Sequence, residues 1–181
     1  QVQYNRETLT DVKQILRLLK QNTLLRLNYG IFALHLALMA AFVAIPTILS
    51  EELGIEGQNL WWVYLLLLGG GFVIMLPGMI MAEKYNRHKL IFLASVGVMT
   101  VVTLTLSFYR GSVETPLLLL MFFTAFNLLE ASLPSWMSKS CPVGNRGTAM
   151  GIYSTSQFLG AFFGGLLGGW SLQVLGMNGL F

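Results

Sequence analysis

The sequence predicts an all-α membrane protein, and three observations carry that prediction. Hydrophobic residues make up 55% of the 181-residue chain and charged residues only 10%, whereas a soluble domain carries roughly 25% charged residues. Mean hydropathy is +0.66. Five apolar runs, each meeting the roughly 17–25 residues that a helical span requires, are separated by short charged loops. Backbone groups without partners exclude loose loops from a bilayer core, and the runs lack the alternation of barrel strands.

Residues 1–26 read as a polar, basic segment ahead of the first span. Within it, Thr10 to Lys20 predicts a short amphipathic helix with Thr10 as N-cap. Val12, Ile15, Leu16 and Leu19 share one face, and Lys13, Arg17 and Lys20 another. Such a helix either lies on an anionic leaflet or serves as a solvated linker. Spans follow at about 27–50, 60–82, 90–108, 116–137 and 148–175.

The first span holds His35, the only histidine within a span. The third has no ionisable group and reads as an outer, lipid-facing helix. In the fourth, Glu130 is the only charged residue between Thr115 and Ser138. The fifth opens on Tyr153-Ser154-Thr155-Ser156-Gln157 and continues into a glycine run. Pro46, Pro77 and Pro134 fall inside spans, where proline is a common cause of kinks. The chain starts without methionine and stops on apolar Gly179-Leu180-Phe181, so further membrane helices are expected at one or both ends.

Basic residues set the expected orientation. Arg6, Lys13, Arg17, Lys20 and Arg26 precede the first span; Lys84, Arg87 and Lys89 follow the second; Lys139 and Arg146 follow the fourth. The alternate loops carry only Arg110 beside Glu51, Glu52, Glu56 and Glu114. The positive-inside rule therefore puts the N-terminus and the basic loops in the cytoplasm. Trp61, Trp62, Tyr109 and Trp170 then line the outer interface, and Tyr29, Tyr85 and Trp136 the inner one.

A charge at Glu130 costs at least ~2.5–3.5 kcal/mol on insertion scales, so a chain that keeps one there generally uses it. Counted along their helices, His35 and Glu130 lie about 12 and 10 Å from the cytoplasmic end. At matched depth, on neighbouring helices, they would form a proton-binding pair, since histidine changes charge near neutral pH. The plainer readings are a hydrogen-bonded packing histidine and a structural carboxylate. Asn127, three residues before Glu130, shares its face and would orient the carboxylate or line a cavity. Tyr153 and Gln157 are further candidates to line a cavity or meet substrate. Gly160, Gly164 and Gly168, with Gly165 and Gly169, have the four-residue spacing of close helix packing.

The sequence resembles the C-terminal half of a major facilitator superfamily transporter, in the drug:proton antiporter branch. The resemblance rests on Leu27-Asn28-Tyr29-Gly30-Ile31 through His35, on Phe42-Val43-Ala44-Ile45-Pro46, and on residues 125–135 and 147–160. It implies that the spans are helices 7 to 11 of a twelve-helix fold, making 27–181 a half-domain that stops before the last helix. Helices 7 and 10 of such transporters line the central cavity, and helix 9 lies outside. The loop Glu83-Lys84-Tyr85-Asn86-Arg87-His88-Lys89 resembles a degenerate copy of the superfamily's basic cytoplasmic motif. Glu83 stands for its usual aspartate and Asn86 for its glycine, so this loop is either a gating element or an ordinary basic loop. The glycine run has the spacing of the antiporter motif of helix 5, with Gly165 where proline is usual.

The expected function is proton-coupled efflux of small, hydrophobic or drug-like molecules by alternating access, at a bacterial inner membrane. Expected partners are the lipid bilayer, a small-molecule substrate and the N-terminal half of the same transporter. An uptake symporter or facilitator of the same fold stays open, as does a non-transporting scaffold or sensor. No cofactor is expected beyond protons as coupling ion, and no metal. Enzymatic motifs are missing from the sequence: there is no phosphate-cradling glycine loop, no HExxH and no cysteine-rich metal spacing. Nucleic-acid binding is not expected either, because the basic residues flank membrane spans. Cys141, the single cysteine, excludes an internal disulfide.

Overall fold

The computed structural model describes residues 12–55, 57–109, 111, 113–142 and 144–176. Six α-helices follow in order: α1 (Val12–Leu19), α2 (Asn22–Leu53), α3 (Leu60–Lys84), α4 (His88–Phe108), α5 (Glu114–Ser140) and α6 (Arg146–Leu175), with a 3-10 turn at Gly57–Asn59. The five long helices are each long and apolar enough to cross a membrane. This is the all-helical, five-span fold that the apolar runs predict. Helix α2 begins at Asn22, five residues ahead of the expected span. Hydropathy marks only the part that suits lipid, whereas backbone hydrogen bonding continues through Leu24, Leu25 and Arg26.

Left-handed residues close α2 and α3, whereas α4 and α5 run out into extended backbone at Tyr109 and Cys141. Gly54 (φ 63°) closes α2, its N–H donating to the Leu49 and Ser50 carbonyls. Beyond α3, Asn86 takes φ 51°. Its N–H donates to Glu83, and the Arg87 N–H to Ala82, which together make a Schellman cap. Asparagine is among the few residues that adopt this conformation at low cost. The loop thus keeps the backbone shape its missing glycine would supply, with Glu83, Lys84, Arg87 and Lys89 exposed.

Two helix pairs and a fifth helix build the bundle. The most extensive packing is α2 on α6, followed by α3 on α5 and α4 on α5, with α2 and α5 meeting at the centre. Between α2 and α6 the contact steps from Gly160 at Phe32 to Gly164 at Leu36 and Gly168 at Ala40. Both numbers rise together, so the helices run parallel, in register by one turn. A Cβ at Gly160 or Gly164 would overlap the carbonyl of Phe32 or Leu36, and one at Gly168 would lie 3.0 Å from the Ala40 Cα. Only glycine lets the two backbones approach this closely. Gly165 and Gly169 have nothing within 4 Å. They sit one residue, about 100° of helix rotation, round from the seam.

The shared core is apolar: Ile31, Ile45, Leu49, Leu106, Leu119, Phe122, Phe123 and Met137 are essentially inaccessible. Helix α4 contributes Ser95, Met99, Val102 and Leu106 to it. Its hydroxyls turn back on their own helix, Ser95 to Ile91, Thr100 to Val96, Thr103 to Met99 and Thr105 to Val101. These hydroxyls are therefore satisfied within α4 rather than across the bundle. Between α2, α4 and α5 lies a 690 Å³ cavity with walls of Leu34, Ala37, Met99, Leu129 and Leu133, and Arg26 also on its lining.

Helix α1 docks on the bundle by one edge. Leu18 is buried, and the Gln14 amide donates to the Asn145 side chain just before α6. Val12 and Leu16 remain exposed beside Lys13, Arg17 and Lys20. The expected N-cap, Thr10, lies outside the described residues.

Candidate functional site

Where α2, α5 and α6 converge, the apolar packing is interrupted by three polar side chains. His35 of α2 is buried at 8% exposure. Its ring packs edge-on against Phe126, with centroids 5.7 Å apart. Its Nδ1 lies 3.3 Å from the Ile31 carbonyl one turn back and 3.8 Å from Glu130 Oε2. The pairing expected from depth alone is thus present as a close approach. It is a charge pair only when the imidazole is protonated.

Gln157 of α6 joins the two. Its Nε2 lies 2.8 Å from His35 Nε2 and donates to Glu130 Oε1 at 3.3 Å. The glycine seam explains why it can. Gln157 precedes Gly160 by three residues and Gly164 by seven, so it lies on the face that meets α2. The missing side chains bring that face against Phe32 and Leu36, within reach of His35.

Glu130 retains a third of its side-chain accessibility, although Oε2 itself is buried without a hydrogen-bond partner. Two further buried oxygens lack partners, Tyr153 Oη and Asn28 Oδ1. Tyr153, at 2% exposure, is packed in the core within electrostatic reach of Glu130. Asn28 lies seven residues, about two helical turns, before His35 on α2. Asn127 is half-buried, and among the described residues no hydrogen bond joins it to Glu130. The seryl and threonyl neighbours turn inward on their own helices, Thr155 to Gly151 and Ser156 to Ile152.

The arrangement suits proton binding. It contains one carboxylate, one imidazole with two ring nitrogens that exchange donor and acceptor roles, and an amide that can donate or accept between them. No cluster of three or more potential metal ligands occurs among the described residues.

Comparison with known proteins agrees with this architecture. Residues 27–181 match the model of the Major Facilitator Superfamily. The chain is 42% identical over 170 residues to the inner membrane transport protein YajR of Escherichia coli (strain K12), covering 91% of the chain and 35% of that protein. It is 35% identical over 159 residues to the uncharacterized transporter BU466 of Buchnera aphidicola subsp. Acyrthosiphon pisum, covering 87% of the chain and 40% of that protein. An uncharacterized transporter of Buchnera aphidicola subsp. Baizongia pistaciae is 28% identical over 162 residues, with 88% and 41% covered. The chain therefore spans well under half the length of these relatives. With five helices apolar enough to cross a membrane and a family match over residues 27–181, this protein belongs to the Major Facilitator Superfamily.

Proposed function

We propose that the chain is the C-terminal half of a proton-coupled transporter that exports small hydrophobic molecules by alternating access. Glu130 is the proton-carrying group and His35 its partner. The observation that carries this reading is the junction itself: a carboxylate and an imidazole on two apolar helices, joined through an amide on a third. Ionisable groups at such positions are costly and typically mark ion or proton pathways. A proton drives transport only if it binds the two conformations unequally. In this reading the two six-helix halves rock about a site between them, and Glu130 faces that site with its accessible third. Asn127 is assigned to the substrate side of the same region, whereas Tyr153, expected from the sequence to line a cavity, is 2% exposed and packs in the core. Glu83, Lys84, Arg87 and Lys89 form a cytoplasmic loop that contributes to gating.

Transport across an inner membrane is supported by the name of the 42%-identical relative. Export and a hydrophobic substrate rest on the resemblance to the drug:proton antiporter branch. The N-terminus and basic loops are assigned to the cytoplasm by the positive-inside rule.

The test is ethidium flux in proteoliposomes of the full-length protein under imposed pH gradients of either sign. The expected result is ethidium moving against the proton flow, reversing with the gradient, and losing its gradient response in Glu130→Gln. Unchanged pH dependence in Glu130→Gln would rule that residue out. Ethidium moving in the same direction as protons would replace export by symport.

A further inference from the structure

Gln157 holds an orientation that only one protonation pattern of His35 permits. An amide nitrogen donates and never accepts. With the Gln157 nitrogen 2.8 Å from His35 Nε2, that ring nitrogen is bare and accepts. The neutral imidazole then carries its proton on Nδ1, where the Ile31 carbonyl is 3.3 Å away. The second amide hydrogen reaches Glu130 Oε1. One amide thus fixes the tautomer of the histidine and tethers the acid at once.

From this geometry we infer that Gln157 is a proton-operated coupler between α6, α2 and α5. A proton arriving at His35 Nε2 sets N–H against N–H. Rotation of the amide by 180° relieves the clash by turning its oxygen to Nε2. The same rotation points that oxygen at Glu130 Oε1, replacing a hydrogen bond with two facing acceptors. Glu130 then leaves Gln157 and closes on His35 Nδ1–H, from which Oε2, an atom without a hydrogen bond, stands only 3.8 Å away. The proton is taken up by Nε2 and no other bond to hydrogen breaks. Its outcome is an exchange of tethers: Glu130 passes from α6 to α2. A swap between helices is what converts a local protonation into a change of helix packing. Glu130 from α5 and Tyr153 from α6 are the titratable groups that interact with this network among the described residues. Gln157 acts here as a positioning residue, since it works through His35 and Glu130.

The inference rests on the site of that reading, taken at the stage when Glu130 is ionised and His35 receives the proton, and it is tested without transport. Nitrogen-15 spectroscopy of histidine-labelled full-length protein in lipid nanodiscs, with His35→Asn to assign the signal, reports the tautomer. The expected wild-type neutral form has Nδ1 protonated and Nε2 as a hydrogen-bonded acceptor. Gln157→Glu, which presents oxygens on both sides, is expected to move the neutral proton to Nε2. In the wild type, the Glu130 carboxylate stretch, assigned by Glu130→Gln, should shift at the pH where Nε2 gains its proton. A wild-type neutral imidazole protonated on Nε2 would overturn the coupler, even if the Gln157→Glu protein does not fold. So would a Gln157→Glu protein with the wild-type tautomer, or a carboxylate shift at a separate pH. Ethidium flux indifferent to Glu130 alongside the expected tautomer would sink the transport reading and leave the coupler standing.

Discussion

Along the α2–α6 seam, Gly160, Gly164 and Gly168 meet main chain, the carbonyls of Phe32 and Leu36 and the Cα of Ala40. Along the α3–α5 seam, Gly70 and Gly78 meet the side chains of Leu120 and Leu128, and only Gly71 meets backbone, at Phe123. Both pairs run parallel, and α2 runs antiparallel to α5. The second seam is lined by leucine and aromatic side chains, with the rings of Tyr64 and Phe123 tilted against that of Phe42. The first places Gln157 beside His35. Close approach is common to both, so the polar junction depends on how close the first seam is. An amide reaches across a helix pair when glycines on its own helix let that backbone rest on the main chain of the other.

Perturbing the two seams unequally tests this difference. Gly164→Leu in the full-length protein forces the α2–α6 backbones apart, and overpacking of this kind costs on the order of 1–3 kcal/mol or more. The expected result is a large fall in thermal midpoint together with loss of the Gln157–His35 contact. Gly71→Ala sets a methyl 3.1 Å from Phe123 backbone and side-chain atoms. The helices must yield by a few tenths of an ångström, so a smaller loss of about 1 kcal/mol is expected, with the His35 environment unchanged by histidine spectroscopy. Gly165→Ala and Gly169→Ala meet open space and should move the midpoint by no more than about 0.5 kcal/mol. A deficit equal to that of Gly164→Leu would show that the outer glycines carry packing of their own.

The smallest expected effect lies away from both seams, at Cys141 just past α5. Burial raises its thiol pKa above the ordinary value, and the nearby Arg146 offsets part of that rise. A raised pKa leaves less thiolate at a given pH, and the thiolate is the reactive form. Maleimide labelling at neutral pH should therefore be slower than for an exposed cysteine and should accelerate as pH rises. Arg146→Ala should slow it further.

The apolar runs made the five helices legible, because bilayer thickness and helical rise leave few alternatives. The match in depth between His35 and Glu130 was legible for the same reason. Gln157 was readable only as a polar residue near a cavity. Its role as the bridge depends on which face of α6 meets α2, and hydropathy does not encode that face in a helix where Ser154, Thr155, Ser156 and Gln157 follow one another round the axis. The clue was the spacing of Gln157 to Gly160 and Gly164, three and seven residues, which puts the amide on the glycine stripe. The same spacing separates Gly165 and Gly169 from that stripe, although all five glycines look equivalent as small residues in series. Helix α1 was legible as an amphipathic helix, but the edge by which it docks, at Leu18, was hidden for a different reason. Its apolar arc is shared between the bundle, through Leu18, and the exposed edge of Val12 and Leu16, and a periodicity argument cannot divide one arc between two surroundings.

The account turns on Glu130 exchanging a proton. Infrared difference spectra of the full-length protein between acidic and alkaline buffer test this directly. A carboxylic-acid carbonyl band that appears on acidification and vanishes in Glu130→Gln is the predicted result. The same band persisting in Glu130→Gln, with no other carboxyl signal lost, would contradict it.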